Sequence, residues 1–189
     1  SYLMALERLK YTEEFQQIAR AYNNLGDTYR QKKNWDEALK CFAKSEDYGG
    51  KGGWLNMIAW ARFNSAMVLV EKGSLPEAES LLQKSEASLA QIGDRTGMAG
   101  AKHAWGKLYA AHGKAVLIDR AYTEAIEMYK ALKTPFSGAE CHYELGMAYK
   151  KLGNRAKALD NLRIAAVMYT DLKLDKWAKV AKAAGIKEQ

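Results

Sequence analysis

Proline is nearly missing: Pro76 and Pro135 are the only 2 in a chain of 189 residues. With alanine, leucine, lysine and glutamate plentiful, that scarcity favours helices and starves a sheet of turn residues. Cysteine is equally rare. Cys41 and Cys141 stand 100 residues apart in helical patterns, where a lone thiol acts as a small buried apolar group and fits a reduced, cytoplasmic setting. No run of about 18 uncharged apolar residues occurs, as a membrane span would need. The first eight residues also lack the cleavable apolar stretch of a signal peptide. Ser1 enters mid-pattern without a cap, as it would in an excised fragment whose targeting signals were left behind.

What is present is enough to build a core. Hydrophobic residues make up 48% of the chain, which predicts one continuous domain over residues 1–189 and argues against disorder. The 29 basic residues outnumber the 22 acidic ones, giving a net charge of +7. That excess favours an acidic partner and speeds encounter with it without fixing a fold.

Four segments resemble one another: Tyr22 to Tyr29, Arg62 to Leu69, Lys102 to Tyr109 and His142 to Tyr149. In them the small residues Gly26, Ala66, Gly106 and Gly146 recur every 40 positions. Tyr29, Leu69, Tyr109 and Tyr149 follow three places later. In three segments a second small residue, Ala38, Ala78 or Ala158, comes 12 places after the first, and Phe42, Leu82 or Leu162 four places beyond that. Small residues on two facing helices let the backbones cross closely while large ones fill the remaining gaps.

This arrangement resembles the tetratricopeptide repeat family, in which a Leu-Gly pair in helix A meets an Ala-x-x-x-Phe in helix B. The resemblance implies an all-α, right-handed superhelical solenoid of antiparallel helix pairs. Its repeats would span about 13–52, 53–92, 93–134 and 135–172, with a cap helix over 175–185. The 40-residue unit is longer than the family's usual 34, which predicts each helix lengthened by about a turn. The proline that often closes a family repeat is absent.

Capping residues agree with the pairing. Asn34, Ser74, Asn154 and Asp175 stand where N-caps belong, Thr134 precedes a first-turn Pro135, and Gly73 and Gly153 stand where A helices should stop. The patterns predict ten helices: 1–10, 13–31, 35–48, 54–72, 75–91, 95–112, 116–133, 136–152, 155–171 and 175–185. In the last, Trp177, Val180, Ala181 and Ala184 share a side, as in the polar-faced cap that an array needs. The third repeat is irregular, because its helix B matches at Ala125 and Tyr129 or at Ala121 and Ala125. Either choice places Val116 and Leu117 on an exposed apolar edge suited to self-association.

Candidate chemistry is sparse. His103, His112 and His142 fall in different helical phases, with no acid or cysteine at a metal-ligand spacing, so neither a metal nor a cofactor is expected. Cys141 and His142 point about 100° apart as helix neighbours and cannot pair as nucleophile and base. The run Gly49-Gly50-Lys51-Gly52-Gly53 lacks the Ser or Thr and the preceding strand of a phosphate loop, and reads as a flexible linker. An enzyme is not expected.

In the resembled family, helix A lines a concave groove. The groove-facing offsets carry over to Asn23, Asp27 and Arg30, to Phe63, Met67 and Val70, to His103, Lys107 and Ala110, and to Tyr143, Met147 and Lys150. Trp60 lies one turn before Phe63 and joins them. Leu25, Tyr29, Leu69, Trp105, Leu108, Leu145 and Tyr149 are assigned to the core, which leaves Trp60, Phe63 and Met67 as a surplus apolar stripe. With Arg20, Arg30, Lys107 and Lys150 beside it, the groove suits a peptide or helix with apolar anchors and acidic flanks. The lysine and asparagines of the family's carboxylate clamp are not reproduced at these places.

The expectation is therefore a cytoplasmic protein-interaction scaffold. A ligand-sensing or coupling arm of a larger regulator is the alternative. Nucleic-acid binding ranks below both, since the basic residues are spread along the chain rather than ordered in a stripe with stacking aromatics.

Overall fold

The protein's structure, a computed structural model, describes the backbone of residues 2–186 and the side chains of residues 11 and 13–185. Among them the elements are nine helices: α1 (Tyr2–Gln31), α2 (Trp35–Gly52), α3 (Leu55–Lys72), α4 (Leu75–Gln91), α5 (Arg95–His112), α6 (Ala115–Ala131), α7 (Pro135–Lys151), α8 (Arg155–Asp171) and α9 (Asp175–Ile186). From α2 onward, each helix begins 20 residues after the one before it. Odd-numbered helices occupy the helix A position of the repeat and even-numbered ones helix B.

The spacing is set by the turns. A residue with positive φ ends each of the first eight helices: Lys33, Gly53, Gly73, Gly93, Gly113, Lys133, Gly153 and Lys173. The next residue's N–H then reaches back five places to a carbonyl, as from Ser74 to Leu69 (2.9 Å) and from Asn154 to Tyr149 (2.9 Å). These are Schellman closures, in which a left-handed residue satisfies the last orphan carbonyls of the helix. Gly73 and Gly153 behave as the sequence predicts. The expected N-caps mostly do not: Asn154 accepts a side-chain bond from the Lys157 N–H, Asn34, Ser74 and Thr134 make no capping bond, and Asp175 is already the first residue of α9. The cap that the sequence reading missed is Asp94, whose Oδ1 accepts from the Gly97 N–H at 2.8 Å.

Two further expectations are corrected. The break foreseen near residue 11 does not exist, and α1 runs through it, because neither proline nor glycine interrupts the segment. The glycine run is not a linker either. Gly49 to Gly52 complete α2, and a Cβ on Gly49 would lie 3.1 Å from Met57 and 3.3 Å from Ile58, so absent side chains let α2 and α3 approach closely.

The chain divides into two compact units, Ser1–Met98 and Ala99–Gln189, with the division inside α5. In unit 1, Phe42 of α2 is fully buried and lies where a Cβ on Gly26 would be, 2.5 Å away. Ala38, Phe42 and Val68 form a small cluster there with Tyr29, Trp35 and Leu39 packed on it. In unit 2 a larger cluster joins Ile118, Tyr122, Ala125 and Tyr129 of α6 to Cys141, Leu145 and Tyr149 of α7. Leu162 stands 2.8 Å from a Cβ on Gly146, and Tyr122 stands 2.7 Å from one on Gly106.

That last contact corrects the third repeat. Gly106 meets Tyr122 at the same 16-residue offset as Gly26 meets Phe42 and Gly146 meets Leu162. Ile118, fully buried, takes the place of the alanine, so there is no insertion. The sequence was misleading only because an isoleucine holds a position that is small in the other repeats. Val116 is 82% exposed, but Leu117 is half-buried, which reduces the expected apolar edge to one side chain. In α9 the inward line is Ala178 and Ala181. Trp177 is 44% exposed and lies against Phe136 and Tyr169 at 6.2 and 6.0 Å.

The assigned core is also corrected at Leu25, which is 44% exposed, whereas Trp105 and Leu145 at the same repeat position are buried. Leu145 packs beneath residues of the preceding helix α6. No described helix precedes α1 to do the same for Leu25.

Candidate protein-interaction faces

The predicted groove residues lie on the A-type helices, and within each unit neighbouring A-type helices are tied by side chains 41 residues apart. In unit 1, Asn64 of α3 donates through Nδ2 to Oδ1 of Asn23 on α1 at 2.9 Å. Two turns along, Arg30 pairs with Glu71 at 3.1 Å and with its own-helix neighbour Asp27 at 2.9 Å. Gln31 completes Asp27 with a 2.7 Å bond to the other carboxylate oxygen.

Trp60 and Phe63 sit together on α3, edge to face at 5.5 Å, both half-buried. The indole Nε1 donates to Oδ2 of Asp94 at 3.1 Å, the same carboxylate that caps α5. Trp60 is thereby tied to a residue that itself holds the first turn of a helix. Met67 departs from its expected place. It is buried with its neighbours Ala66 and Val68, so α3 is covered nearly all round at mid-length, and the unbranched thioether fills space in the core.

Unit 2 places a charged network where unit 1 has the asparagine pair. His103 and Glu144 stand 80 residues after Asn23 and Asn64, and the His103 Nε2 lies 2.6 Å from Glu144 Oε2. Lys107 holds the other oxygen, Oε1, at 2.7 Å, and the Tyr122 hydroxyl donates to Oε2 at 3.2 Å. The His103 ring also packs against Tyr122 and Tyr129 at 5.7 and 6.2 Å. Burial pushes the Glu144 carboxyl up, but the hydrogen bond and charge of His103, then those of Lys107, outweigh it and hold the group at about 2. Burial together with the Glu144 charge pushes the Tyr122 phenol far up, so it stays a donor.

Further along this face, Tyr143 is half-buried against the α8 and α9 cluster. Met147 is 38% exposed. Lys150 reaches across to the carbonyl of Ala184 in the last turn of α9 at 3.0 Å. Among the described residues no helix is long and apolar enough to cross a membrane, and no group of three metal-ligating side chains forms. Cys141 lies in the core beside Tyr129 and Tyr149, where burial pushes the thiol up. His142 Nδ1 is 2.9 Å from Asn161 Oδ1.

Sequence reasoning named one half of each pair and missed Asn64, Glu71, Asp94, Tyr122 and Glu144. A signal was available, since complementary residues recur at the period plus one: Asn23 with Asn64, Arg30 with Glu71, His103 with Glu144.

Models of the tetratricopeptide repeat match residues 17–91 and 139–163, together just over half of the chain. The protein belongs to the tetratricopeptide repeat family. The unmatched stretch between them contains the repeat in which Ile118 replaces the alanine. None of the curated proteins matches the chain in sequence. Among solved structures, BtubC from P. vanneervenii is similar at 17% identity with a TM-score of 0.67, over 82% of this chain and 64% of that one. This tetratricopeptide protein thus spans less than two thirds of BtubC's length. The nearly identical TPR-like repeats of a protein described as a kinesin light chain from Podosopora anserina superpose with a TM-score of 0.64 at 17% identity, over 90% of this chain and 88% of that one. At this identity the likeness is one of fold.

Proposed function

We propose that this tetratricopeptide protein is a non-catalytic cytoplasmic scaffold that holds a peptide or helix of another protein on its A-type helix faces. The observation that supports this reading most is the stitching at 41 residues, which fixes neighbouring A-type helices in register and presents the side chains beside the stitches in a constant order. In unit 1 those side chains are Trp60 and Phe63, with Arg20 and Arg30 nearby. In unit 2 they are Tyr143 and Met147, with Lys107 and Lys150. A partner with apolar anchors and acidic flanks suits both.

The balance between anchors and charges follows from the pairing. Arg30 already holds Asp27 and Glu71, and Lys107 already holds Glu144. An incoming carboxylate competes with these partners, so the cations steer encounter while apolar anchors supply most of the affinity. Capture of partners from source-cell extract by the wild-type chain and by Phe63→Ala and Met147→Ala variants tests this, with thermal melts in parallel. The expected result is a partner lost or weakened by roughly 2 kcal/mol from variants that melt near the wild type. Undiminished capture by both variants would overturn the reading, as would a Met147→Ala protein that melts far earlier.

A further inference from the structure

The A-type face of α7 carries a charge that the fold does not use. Its stripe runs Phe136, Glu140, Tyr143 and Met147, spaced as residues on one side of a helix are. Glu140 and Tyr143 stand 80 positions after Trp60 and Phe63, so unit 2 has a carboxylate where unit 1 has the indole. Elsewhere in the array that position holds Arg20, Gly100 and Val180, which makes Glu140 its one acid. Glu140 is half-buried, yet among the described residues it has neither a hydrogen bond nor an ion pair. Nor does α7 lack neighbours. The B-type helices α6 and α8 pack on it, and His103 ties it to α5 as Lys150 ties it to α9.

Two phenols flank the carboxylate. Tyr129, in the last turn of α6, packs with Cys141, and Tyr169, in the last turn of α8, packs with Ala139 and Tyr143. Residue 140 lies between these contacts. Tyr169 is 1% exposed, and its hydroxyl has no hydrogen-bond partner. The Tyr129 hydroxyl makes no hydrogen bond among the described residues either. Burial pushes both phenols up, and the Glu140 charge adds to it at each, as the foremost charge at Tyr169. The exposed Phe136 ring stands 6.1 Å from that of Tyr169.

A half-buried carboxylate without a cation and a buried hydroxyl without an acceptor each destabilise the fold. One kind of group answers both: a planar cation with several N–H donors, which also stacks on aromatic rings. Phe136 and Tyr143, one turn to either side of Glu140, supply such rings.

We propose that Glu140, Tyr129 and Tyr169 form the seat of an arginine side chain from the peptide held on the A-type faces, an inference that rests on the function proposed above. The guanidinium pairs with the carboxylate, donates to the Tyr129 oxygen and lies against Tyr143. The carboxylate so fixed accepts from the Tyr169 hydroxyl. To its apolar anchors and acidic flanks the partner thus adds one arginine beside the residue that meets Met147, against the trend set by a net charge of +7 on this chain.

The probe is an immobilised library of acetylated hexapeptide amides in which leucine is fixed at one position and each other position is varied in turn, read with the labelled whole chain. At one position arginine should be retained about tenfold over alanine, with lysine between them. Glu140→Gln should abolish that preference, Glu140→Lys should turn it to aspartate or glutamate, and Tyr169→Phe should weaken it several-fold. Neither Glu140→Gln nor Tyr169→Phe should melt below the wild type, because each removes an unsatisfied group. A Glu140→Gln protein that melts far earlier, or one that keeps the arginine preference, overturns the proposal. Peptides retained through a contact that Met147→Ala weakens, but without preference for arginine, overturn this seat and leave the wider reading standing. Retention of no peptide at all overturns both. Agmatine that binds as tightly as the best peptide, and is lost on Glu140→Gln, would give the seat to a free guanidinium compound and overturn its assignment to a peptide.

Discussion

Unit 1 and unit 2 solve one structural problem with different chemistry. Both units tie neighbouring A-type helices, but at one shared position of the tie unit 1 has the neutral pair Asn23 and Asn64, and unit 2 has His103 and Glu144 with Lys107 and Tyr122. A neutral amide bond is nearly indifferent to acid and worth about 1 kcal/mol net. A half-buried carboxylate held by a lysine, an imidazole and a phenol is strong when complete and costly when broken. The same fold position is therefore a passive tie in one unit and a conditional one in the other.

The largest expected break in that comparison is Glu144→Ala. It removes the common partner of His103 and Lys107, leaves the Tyr122 hydroxyl without an acceptor, and should cost about 3 to 5 kcal/mol of stability. Asn64→Ala in unit 1 should cost only about 1 kcal/mol. Chemical denaturation of both variants checks the contrast, and equal losses would sink it.

Acid gives the next effect. The Glu144 carboxyl is held at about 2 in the folded protein, below the ordinary carboxylate value of about 4.3. A depressed folded value contributes stability that is present above the unfolded value and disappears as pH falls through the folded one. Unit 2 should therefore lose about 3 kcal/mol between roughly pH 4.5 and 2. Replacing His103 and Glu144 together by asparagine imports the unit 1 tie and should flatten that loss, as followed by acid titration of denaturant midpoints.

Glycine substitutions sharpen the packing side. A Cβ on Gly106 would stand 2.7 Å from the Tyr122 ring, whereas one on Gly138 meets nothing closer than 3.4 Å. Gly106→Leu should cost at least about 1 to 3 kcal/mol by overpacking. Gly138→Ala should be neutral or stabilise by up to about 1 kcal/mol, because alanine restricts the unfolded chain. Thermal melts of the two proteins should move in opposite directions or, for Gly138→Ala, not at all.

The smallest effects belong to the turns. Lys33 in unit 1 and Lys133 and Lys173 in unit 2 adopt φ of 57°, 55° and 58°, a region that costs a side chain about 1 kcal/mol. Each Lys→Gly change should raise stability by a few tenths to about 1 kcal/mol in either unit alike. A gain confined to one unit would show that the two sets of turns are not equivalent.

The repeat itself was legible, because its signal is periodic and every period repeats the evidence. Gly26 with Phe42 and Gly146 with Leu162 meet as the spacing says they should. The third repeat hid its register because Ile118 and Tyr122 conserve close packing without conserving residue size. Gly49 to Gly52 looked like a linker because composition reports flexibility, whereas at Gly49 the close crossing of α2 and α3 leaves little room for a side chain. On the candidate faces, positions could be counted from the small anchors, and Asn23, Asp27, Arg30, His103, Lys107 and Lys150 do carry the cross-helix and local pairings. Met67 and Leu25 were misplaced because exposure depends on which helix lies across a position, and one-helix periodicity does not say that.

The Schellman turns also make the protein a counting device. Every turn closes on the same two backbone bonds, so nothing in a turn can absorb a stray residue. One residue inserted into α7 between His142 and Gly146 would rotate part of that helix by about 100° and slide it by about 1.5 Å. Glu144 would then miss either His103 or the α7 core that holds it in place. Side chains can be exchanged here one at a time for modest costs, but insertions and deletions should be tolerated only in whole units of 40.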